Sequence, residues 1–335
     1  MIDAEHNYND FLIQSLYQTK IIKQHNANIN SIDFSSDGKK ILTSGDDDKI
    51  IECNMEKQVK SSNQMEATFK EMNISIYGCV HALYTKNENE IVVSGKFDAR
   101  IIIISLQTMS IVKFLYGHKE QITSMIVNRN KNLLLSTSRD YQTYLWNISS
   151  RTCIRAFSFS LYATFDINGD AICQAKIEVA EFSPKESVII LYDREEIESS
   201  HPVIKRYDSI KGEIKAIKIT NNNEFIVAML VTELYVINTE KERVDFIIRM
   251  RPEENSIHKV FDISPDSNII VIGDESGVVT FWNITKGNEI MRKNYHLMGC
   301  HAMKFNPFYM QIATASEIVF LLEPNYDKKN IVSAI

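Results

Sequence analysis

A short apolar strand that ends in a polar residue recurs seven times along this chain of 335 residues. The polar residues stand at positions 54, 105, 147, 193, 238, 283 and 323, so the successive intervals are 51, 42, 46, 45, 45 and 40 residues. A unit of this length cannot bury its apolar surface alone and must stack against copies of itself. The chain is therefore predicted to fold as a repeat architecture. The seven strand ends are Cys53-Asn54, Ile104-Ser105, Trp146-Asn147, Tyr192-Asp193, Ile237-Asn238, Trp282-Asn283 and Leu322-Glu323.

Most units also contain an earlier run of strand-forming residues. In the sixth unit, Ile269-Ile270-Val271 follows the turn Pro265-Asp266-Ser267 and precedes Val278-Val279-Thr280-Phe281. This pattern predicts four strands per unit. The fold class is therefore expected to be all-β, a seven-bladed propeller that forms a single domain over residues 1–335, with blade ends near the seven positions given above.

The last unit lacks a convincing fourth strand of its own. After Leu322-Glu323 come Pro324 and a short polar tail, which is a poor strand. The segment Leu16-Tyr17-Gln18-Thr19-Lys20-Ile21-Ile22 precedes the first unit and has no other obvious partner. We expect an N-terminal strand of about residues 15–23 to complete blade seven, because this pairing joins the chain ends and removes an open sheet edge.

The most complete unit lies between Gly117 and Asn147, and it resembles a full WD40 repeat. The resemblance implies a structural network of hydrogen-bonded side chains that ties three strands together. A Ser-His-Asp hydrolase triad is the alternative, but the chain has no GxSxG elbow or oxyanion-hole signature, and the repeat spacing already accounts for these residues. The residues concerned are His118, Ser136, Asp140 and Trp146.

The other blades keep only parts of this network. Blade one has His25 and Asp47 but carries Cys53 in place of Trp, and blade two keeps Asp98. We therefore expect apolar packing to hold these blades, and the network of blade three to contribute most to stability.

Composition excludes several classes of protein. Hydrophobic residues make up 44% of the chain, but the longest aliphatic run, Ile101-Ile102-Ile103-Ile104, is too short to span a bilayer, so no membrane association is expected. A net charge of -6 without a basic cluster argues against direct nucleic-acid binding. Five scattered cysteines, and the lack of P-loop, GxGxxG and HExxH motifs, predict no metal, no cofactor and no catalysis. The acidic first residues lack the order of a secretory signal, which favours the nucleus or the cytosol.

Three segments depart from the repeat pattern. The segment of residues 171–185 is longer than a strand and a turn require, and we interpret it as an insertion in blade four. Residues 55–72 are interpreted as a long connection, and residues 194–198 as an acidic loop. Long segments without a strand pattern are where we expect disorder and altered partner docking.

Several stretches are similar, in order and spacing, to one family of WD40 proteins. That family is the WD-repeat subunit of the COMPASS histone methyltransferase, whose members also serve in mRNA 3′-end formation or transcription termination. The resemblance implies a nuclear, non-catalytic scaffold, a monomeric propeller within a hetero-complex. Its expected partners are the methyltransferase catalytic subunit and other chromatin and transcription proteins, with RNA polymerase II and a phosphatase scaffold as further partners. The matching stretches are Ile29-Asn30-Ser31-Ile32-Asp33-Phe34-Ser35, Ser44-Gly45-Asp46-Asp47-Asp48, Tyr77-Gly78, Ile103-Ile104-Ser105-Leu106, Phe114-Leu115-Tyr116-Gly117-His118 and Phe305-Asn306-Pro307.

Partner binding is expected on the loops between the second and third strands, where aromatic and arginine side chains make good anchors. Two alternatives stay open: a WD40 scaffold of another assembly, such as a translation-initiation or ubiquitin-ligase complex, and an enzyme built on a propeller. The candidate binding residues are Asp46, Asp48, Lys96, Phe97, Arg139 and Tyr141.

Overall fold

The computed structural model describes residues 8–61, 64–75, 78–158, 160–166, 168–178, 186–193, 203–249 and 258–325. Within these ranges the secondary structure is one short helix, α1 (Asp10–Gln14), and strands that pair into seven four-stranded antiparallel sheets. The predicted seven-bladed propeller is confirmed.

In six blades the strands follow chain order from the inner to the outer edge. Blade one contains β2 (Ile29–Phe34), β3 (Lys40–Gly45), β4 (Lys49–Ser61) and β5 (Gln64–Asn73). Blade two contains β6 (His81–Tyr84), β7 (Glu90–Ser94), β8 (Ile101–Ser105) and β9 (Ser110–Leu115). Blade three contains β10 (Ile122–Asn128), β11 (Leu133–Ser138), β12 (Gln142–Asn147) and β13 (Thr152–Ser158).

The remaining blades repeat the pattern. Blade four contains β14 (Ser160–Phe165), β15 (Ala171–Glu178), β16 (Glu186–Asp193) and β17 (Val203–Lys211). Blade five contains β18 (Ala216–Ile219), β19 (Phe225–Met229), β20 (Glu233–Asn238) and β21 (Arg243–Arg249). Blade six contains β22 (His258–Ile263), β23 (Ile269–Asp274), β24 (Val278–Asn283) and β25 (Asn288–Asn294). Blade seven contains β26 (Ala302–Phe305), β27 (Ile312–Ala315), β28 (Val319–Pro324) and, at its outer edge, β1 (Leu16–Ile22).

The blades close into a ring because each interface between neighbours is filled by its own apolar cluster. Blade one packs on blade two through Leu42 and Tyr84, and on blade seven through Phe34 and Leu321. Five further clusters fill the remaining interfaces. The central strands of each blade are buried on both faces, which explains their unbroken runs of aliphatic residues.

Strand β1 closes the ring as predicted. It runs antiparallel to β28, with Leu16 opposite Pro324 and Ile22 opposite Val319. Leu16 is buried in the cluster between blades six and seven. The first strand and the last therefore share one sheet.

Two interpretations of irregular segments need correction. Residues 55–72 do not form a simple connection, since β4 continues to Ser61 and pairs with β5, which begins at Gln64. In the paired strands, backbone N–H and C=O groups of this segment bond to each other. In a loop, the same groups would have to bond to water. In blade four, residues 171–178 are the second strand and not an insertion. Residues 179–185, the 194–198 segment and Tyr77 lie outside the described residues.

Candidate partner-binding surface

The antiparallel order of the strands sorts the loops onto two faces of the ring. Turns between second and third strands lie at the same end of the blades as the connections from one blade to the next. We call this end the upper face. Turns between first and second strands, and between third and fourth strands, lie on the opposite, lower face.

The four network residues of blade three meet in one chain of contacts. Trp146 Nε1 donates to Ser136 Oγ at 2.8 Å, and the same oxygen lies 2.8 Å from His118 Nε2. The other ring nitrogen of His118, Nδ1, lies 3.3 Å from Asp140. These contacts join the second and third strands to the connection that enters the blade.

The electrostatics of this network suit a buried structural role. Burial lowers the pKa of His118, although Asp140 opposes the shift. Burial alone would raise the pKa of Asp140, but backbone N–H groups of Lys119 and Gln142 outweigh it, so the pKa lies below its ordinary value. Ser136 is completely buried and already bonded on both sides, so it offers no accessible nucleophile.

Blades one and seven contain related networks, of which the sequence reasoning had found only His25 and Asp47. In blade one, His25 lies 2.8 Å from both Thr43 and Asp47, closer than His118 lies to its aspartate. In blade seven, His296 Nε2 lies 3.0 Å from Thr314 Oγ1. Blade one, for which we expect apolar packing, is therefore held both by its apolar clusters and by this polar network. A usable signal was present, because in all three blades the hydroxyl residue follows its histidine by 18 positions.

Two of the candidate binding residues contact each other. Lys96 Nζ lies 2.6 Å from Asp46 Oδ1, which also accepts a hydrogen bond from Asn30 at 3.0 Å. Burial alone would raise the pKa of Asp46, but these two hydrogen bonds outweigh it and lower the pKa. This ion pair links blade one to blade two, so neither side chain is wholly free to meet a partner.

The other candidates project from the same face. Phe97 and Tyr141 are 67% and 54% exposed, Arg139 is exposed, and Asp48 is partly buried in its turn. Gly78 makes room for the loop of Phe97, since a Cβ there would lie 3.1 Å from the phenyl ring and 2.5 Å from Lys96 Cβ. The Phe97 ring therefore packs closely against the turn that contains Gly78.

Comparison with known proteins identifies the repeat. Residues 16–51 and 109–147 match the family model described as WD domain, G-beta repeat. This chain is a seven-bladed WD40-repeat protein.

Two curated relatives of this WD40 propeller match most of its length, and a third matches about half of it. WD repeat-containing protein 82 of Drosophila melanogaster is 25% identical over 311 residues, which cover 91% of this chain and 93% of the relative. COMPASS component SWD2 of Saccharomyces cerevisiae is 23% identical over 312 residues, which cover 87% and 89% of the two chains. Set1 complex component swd2 of Schizosaccharomyces pombe is 27% identical over 165 residues, which cover 47% and 43%. The resemblance to the COMPASS WD-repeat subunit is confirmed.

The upper face of the WD40 ring also carries exposed apolar residues that the sequence reasoning missed. Tyr116 is 68% exposed on the connection between blades two and three, and Leu297 is 99% exposed on the connection between blades six and seven, next to exposed Met298. The predicted binding residues all lie on turns within blades. Connections between blades lie on the same face as these turns. The order of the strands could therefore have indicated that Tyr116 and Leu297 lie there.

The described residues do not suggest a metal site or a membrane span. No group of three or more His, Cys, Asp or Glu side chains among them is placed to hold a metal ion. The helical part of the described chain contains no segment long and apolar enough to cross a membrane.

Proposed function

We propose that this propeller is a non-catalytic scaffold subunit of a COMPASS-type histone methyltransferase complex in the nucleus. The observation that carries the proposal is the similarity to a COMPASS component over 87% of the chain, in a protein that forms the complete ring. The burial of Ser136 between Trp146 and His118 also supports a non-catalytic role. Under this proposal the direct partner is a segment of the methyltransferase catalytic subunit. Transcription-termination and mRNA 3′-end complexes, RNA polymerase II and a phosphatase scaffold belong to the same proposal as further partners.

We further propose that the partner binds an upper patch, defined as Phe97, Tyr116, Arg139 and Tyr141. These residues lie on turns of blades two and three and on the connection between them. Exposed aromatic and arginine side chains on a rigid base lose little conformational freedom on binding, which is why they dominate many interfaces. Asp48 remains a candidate at the edge of this surface, whereas Asp46 and Lys96 support it through their ion pair.

Affinity purification of the tagged chain from its own cells tests the scaffold role. We expect a histone methyltransferase and its associated chromatin proteins to be recovered. Recovery of translation-initiation factors or ubiquitin-ligase subunits without a methyltransferase would contradict the proposal in favour of another WD40 scaffold. Methyltransferase activity in the purified chain alone would contradict the non-catalytic role.

Substitutions on the upper patch test the surface separately. Phe97→Ser and Arg139→Glu should each reduce recovery of the methyltransferase at least fivefold. Ile154→Ser and Lys113→Glu change an exposed apolar residue and an exposed basic residue on outer strands and should leave recovery unchanged. Lys96→Glu is unsuitable because it breaks the pair with Asp46. If all four variants recover the partner equally, the scaffold role stands but the upper patch does not.

A further inference from the structure

Two of the three histidine networks end in an aspartate that fixes the entry to the blade. In blade one, Asp47 lies 2.8 Å from Nδ1 of His25 and accepts from the backbone N–H of Asn26 at 3.0 Å. In blade three, Asp140 lies 3.3 Å from Nδ1 of His118 and accepts from the backbone N–H of the next residue at 2.8 Å. One carboxylate thus serves the histidine and the residue that follows it.

Blade seven keeps the histidine but has no aspartate at this place. His296 Nε2 contacts a hydroxyl of the second strand, as in the other networks, which leaves Nδ1 for the acceptor that the aspartate provides elsewhere. Ile318 stands 22 positions after this histidine, where blades one and three carry Asp. The turn between the paired strand ends is also shorter, with residues 316–318 in blade seven and residues 138–142 in blade three.

Polar groups around the missing aspartate have no partner. Among the residues that the structure describes, neither Nδ1 of His296 nor the backbone N–H of Leu297 forms a hydrogen bond. Ser316 Oγ also lacks a partner, although this side chain is only 5% exposed. Its counterpart Ser138 donates at 2.9 Å to the carbonyl of Glu120, two residues after the histidine of its network, so this position faces the connection. A buried polar group without a partner is costly, and these three can all donate to one carboxylate.

The same connection holds two apolar side chains out in the solvent. Leu297 is almost fully exposed and Met298 is exposed beside it. Both ends of the loop are fixed, because the backbone N–H of His296 donates to the Gly277 carbonyl at 3.2 Å and that of Cys300 donates to a carbonyl of the blade-six turn at 2.9 Å. Apolar side chains on a fixed loop gain from burial under a partner and lose little conformational freedom.

Acidic side chains nearby limit the charge of the ligand. Glu317 is exposed next to Ser316, and Glu275 is exposed on the adjacent turn of blade six. Their negative charges disfavour a phosphate group, a nucleic acid or a run of acidic residues, since like charges repel. A single carboxylate with a basic residue beside it suits this surface better.

We infer that blade seven carries a second docking site, in which one Asp or Glu side chain of an extended partner segment takes the place of the missing aspartate. This carboxylate accepts from Ser316 Oγ, from the N–H of Leu297 and from Nδ1–H of His296. A large apolar side chain of the same segment packs on Leu297 and Met298, and a basic residue pairs with Glu317. The site is separate from the upper patch and does not depend on the methyltransferase partner proposed above.

Selection from a display library of random 12-residue peptides provides the first test. The peptides are fused to the carrier at their C-terminus, so that only side chains can supply the carboxylate. They are selected on the whole chain and counter-selected on the Leu297→Ser/Ser316→Ala variant. We expect the survivors to share one Asp or Glu beside a large apolar residue. Survivors without an acidic residue, or no survivors at all, would overturn the proposal.

Fluorescence anisotropy with the most enriched peptide provides the second test. Changing its shared acidic residue to the corresponding amide should weaken binding at least tenfold. Leu297→Ser should weaken binding at least tenfold, and Ser316→Ala at least threefold. Ile154→Ser and Ser75→Ala make the same changes at exposed residues elsewhere and should leave binding within twofold of the parent. Unchanged binding of the amide peptide, or equal weakening by the control variants, would contradict the site.

Thermal melting separates binding from folding. Ser316→Ala removes a buried hydroxyl that has no partner, so the Tm of the free chain should stay unchanged or rise. Saturating peptide should then raise the Tm of the parent more than that of the variant. If Ser316→Ala instead lowers the Tm of the free chain by several degrees, the hydroxyl has a structural role and the proposal is overturned.

Two further arms distinguish this site from its alternatives. Phe97→Ser, on the upper patch, should leave the affinity for the peptide unchanged, and loss of binding would place the peptide on the upper patch. A peptide with phosphoserine in place of the acidic residue should bind more weakly. Tighter binding of the phosphopeptide would assign the site to a phosphate group and overturn the choice of a carboxylate, whatever the outcome for the methyltransferase.

Discussion

Buried histidines at the entrance to three blades each contact a hydroxyl group of the second strand. His25 and His118 also contact an aspartate, whereas Ile318 occupies the corresponding position in blade seven. Because a buried imidazole without its partners is costly, these contacts fix the turns of the upper face to the core. These buried histidines therefore help to determine the shape of the upper face.

Removing the aspartates of these networks should lower the free energy of unfolding. Asp47→Ala and Asp140→Ala each leave a histidine and two backbone N–H groups without an acceptor, at a cost of about 1–3 kcal/mol. Asp98→Ala should cost less than about 1 kcal/mol, because Asp98 mainly holds Arg100 near the surface. Urea unfolding of the three variants measures the difference. Equal shifts in all three would contradict the structural role of the histidine networks.

Acidification should destabilise the fold partly through His296. Burial lowers its pKa from 6.5 to about 4, so the unfolded chain binds the proton more readily than the folded chain. This contribution is fully present above pH 6.5 and is lost as the pH falls towards 4, by about 3 kcal/mol in total. Asp47 and Asp140, whose pKa values are also lowered, weaken the fold at still lower pH.

The His296→Gln variant isolates this histidine, since glutamine keeps a hydrogen-bonding group near Thr314 without titrating. Urea unfolding of the parent and the variant between pH 7 and pH 4 should give a shallower decline for the variant. Identical declines would show that His296 does not contribute to the acid sensitivity.

At the scale of elements, the N-terminal segment is attached to two blades. In α1, Asn9 caps the first turn by accepting from Leu12 N–H at 2.9 Å, and Asp10 contacts Asn283 and Lys286 of blade six at 2.9 and 2.6 Å. The chain then enters β1 and pairs with β28 of blade seven. The closing strand is therefore held both by its sheet and by the blade before it.

Two neighbouring residues of β1 should differ sharply in their contribution to stability. Leu16→Ala removes a buried side chain between blades six and seven and should cost about 2–4 kcal/mol. Tyr17→Ala changes an exposed side chain on the same strand and should cost less than about 1 kcal/mol. Thermal melting compares the two variants. A Leu16→Ala protein that melts like the parent would contradict the closing role of β1.

Removal of the whole closing segment gives a second test at this scale. Deletion of residues 1–24 would leave the edge of β28 unpaired, so we expect aggregation in size-exclusion chromatography. A truncated protein that stays monomeric and melts like the intact chain would show that the ring does not need β1.

At the scale of the whole molecule, two polar ties each span three consecutive blades. Arg129 of blade three lies 2.5 Å from Asp33 of blade one, which accepts from the backbone N–H of Tyr84 in blade two at 2.9 Å. Lys218 of blade five lies 2.6 Å from Asp262 of blade six, which accepts from the backbone N–H of Phe305 in blade seven at 2.8 Å. One tie joins blades one to three and the other joins blades five to seven. Blade four lies between them and contacts blades three and five through apolar clusters.

Breaking the second tie should destabilise the ring as a unit. Asp262→Ala leaves Lys218 without its ion pair and the Phe305 N–H without an acceptor, at a cost of about 3 kcal/mol. Asp262→Leu combined with Lys218→Leu should recover part of this loss, because it removes both charges together. A double-mutant cycle of Asp262→Leu and Lys218→Leu, with both single variants unfolded in urea, measures the coupling. A double variant less stable than Asp262→Ala would contradict the proposed cost of the unpaired lysine.

The number of blades was easier to predict from the sequence than the exposed residues of the surface. The apolar runs that end near Trp146 and Trp282 mark strands locally, so their number could be counted without tertiary information. The length of β4 was harder to predict, because its continuation beyond Asn54 depends on pairing with β5. Candidate residues such as Phe97 and Tyr141 were found from their loops, whereas Tyr116 and Leu297 were missed because exposure is set by neighbouring blades.

The all-β class, the seven blades and the closing strand follow from the sequence alone, since strand periodicity and turn residues act over a few positions. Which distant side chains meet is evident only from the folded ring. Asp46 contacts Lys96 across 50 positions, and Asp33 contacts Arg129 across 96 positions. A cleft between blades seven and one likewise combines residues from both ends of the chain. No local pattern encodes these pairs, because their separation depends on how complete blades pack around the ring.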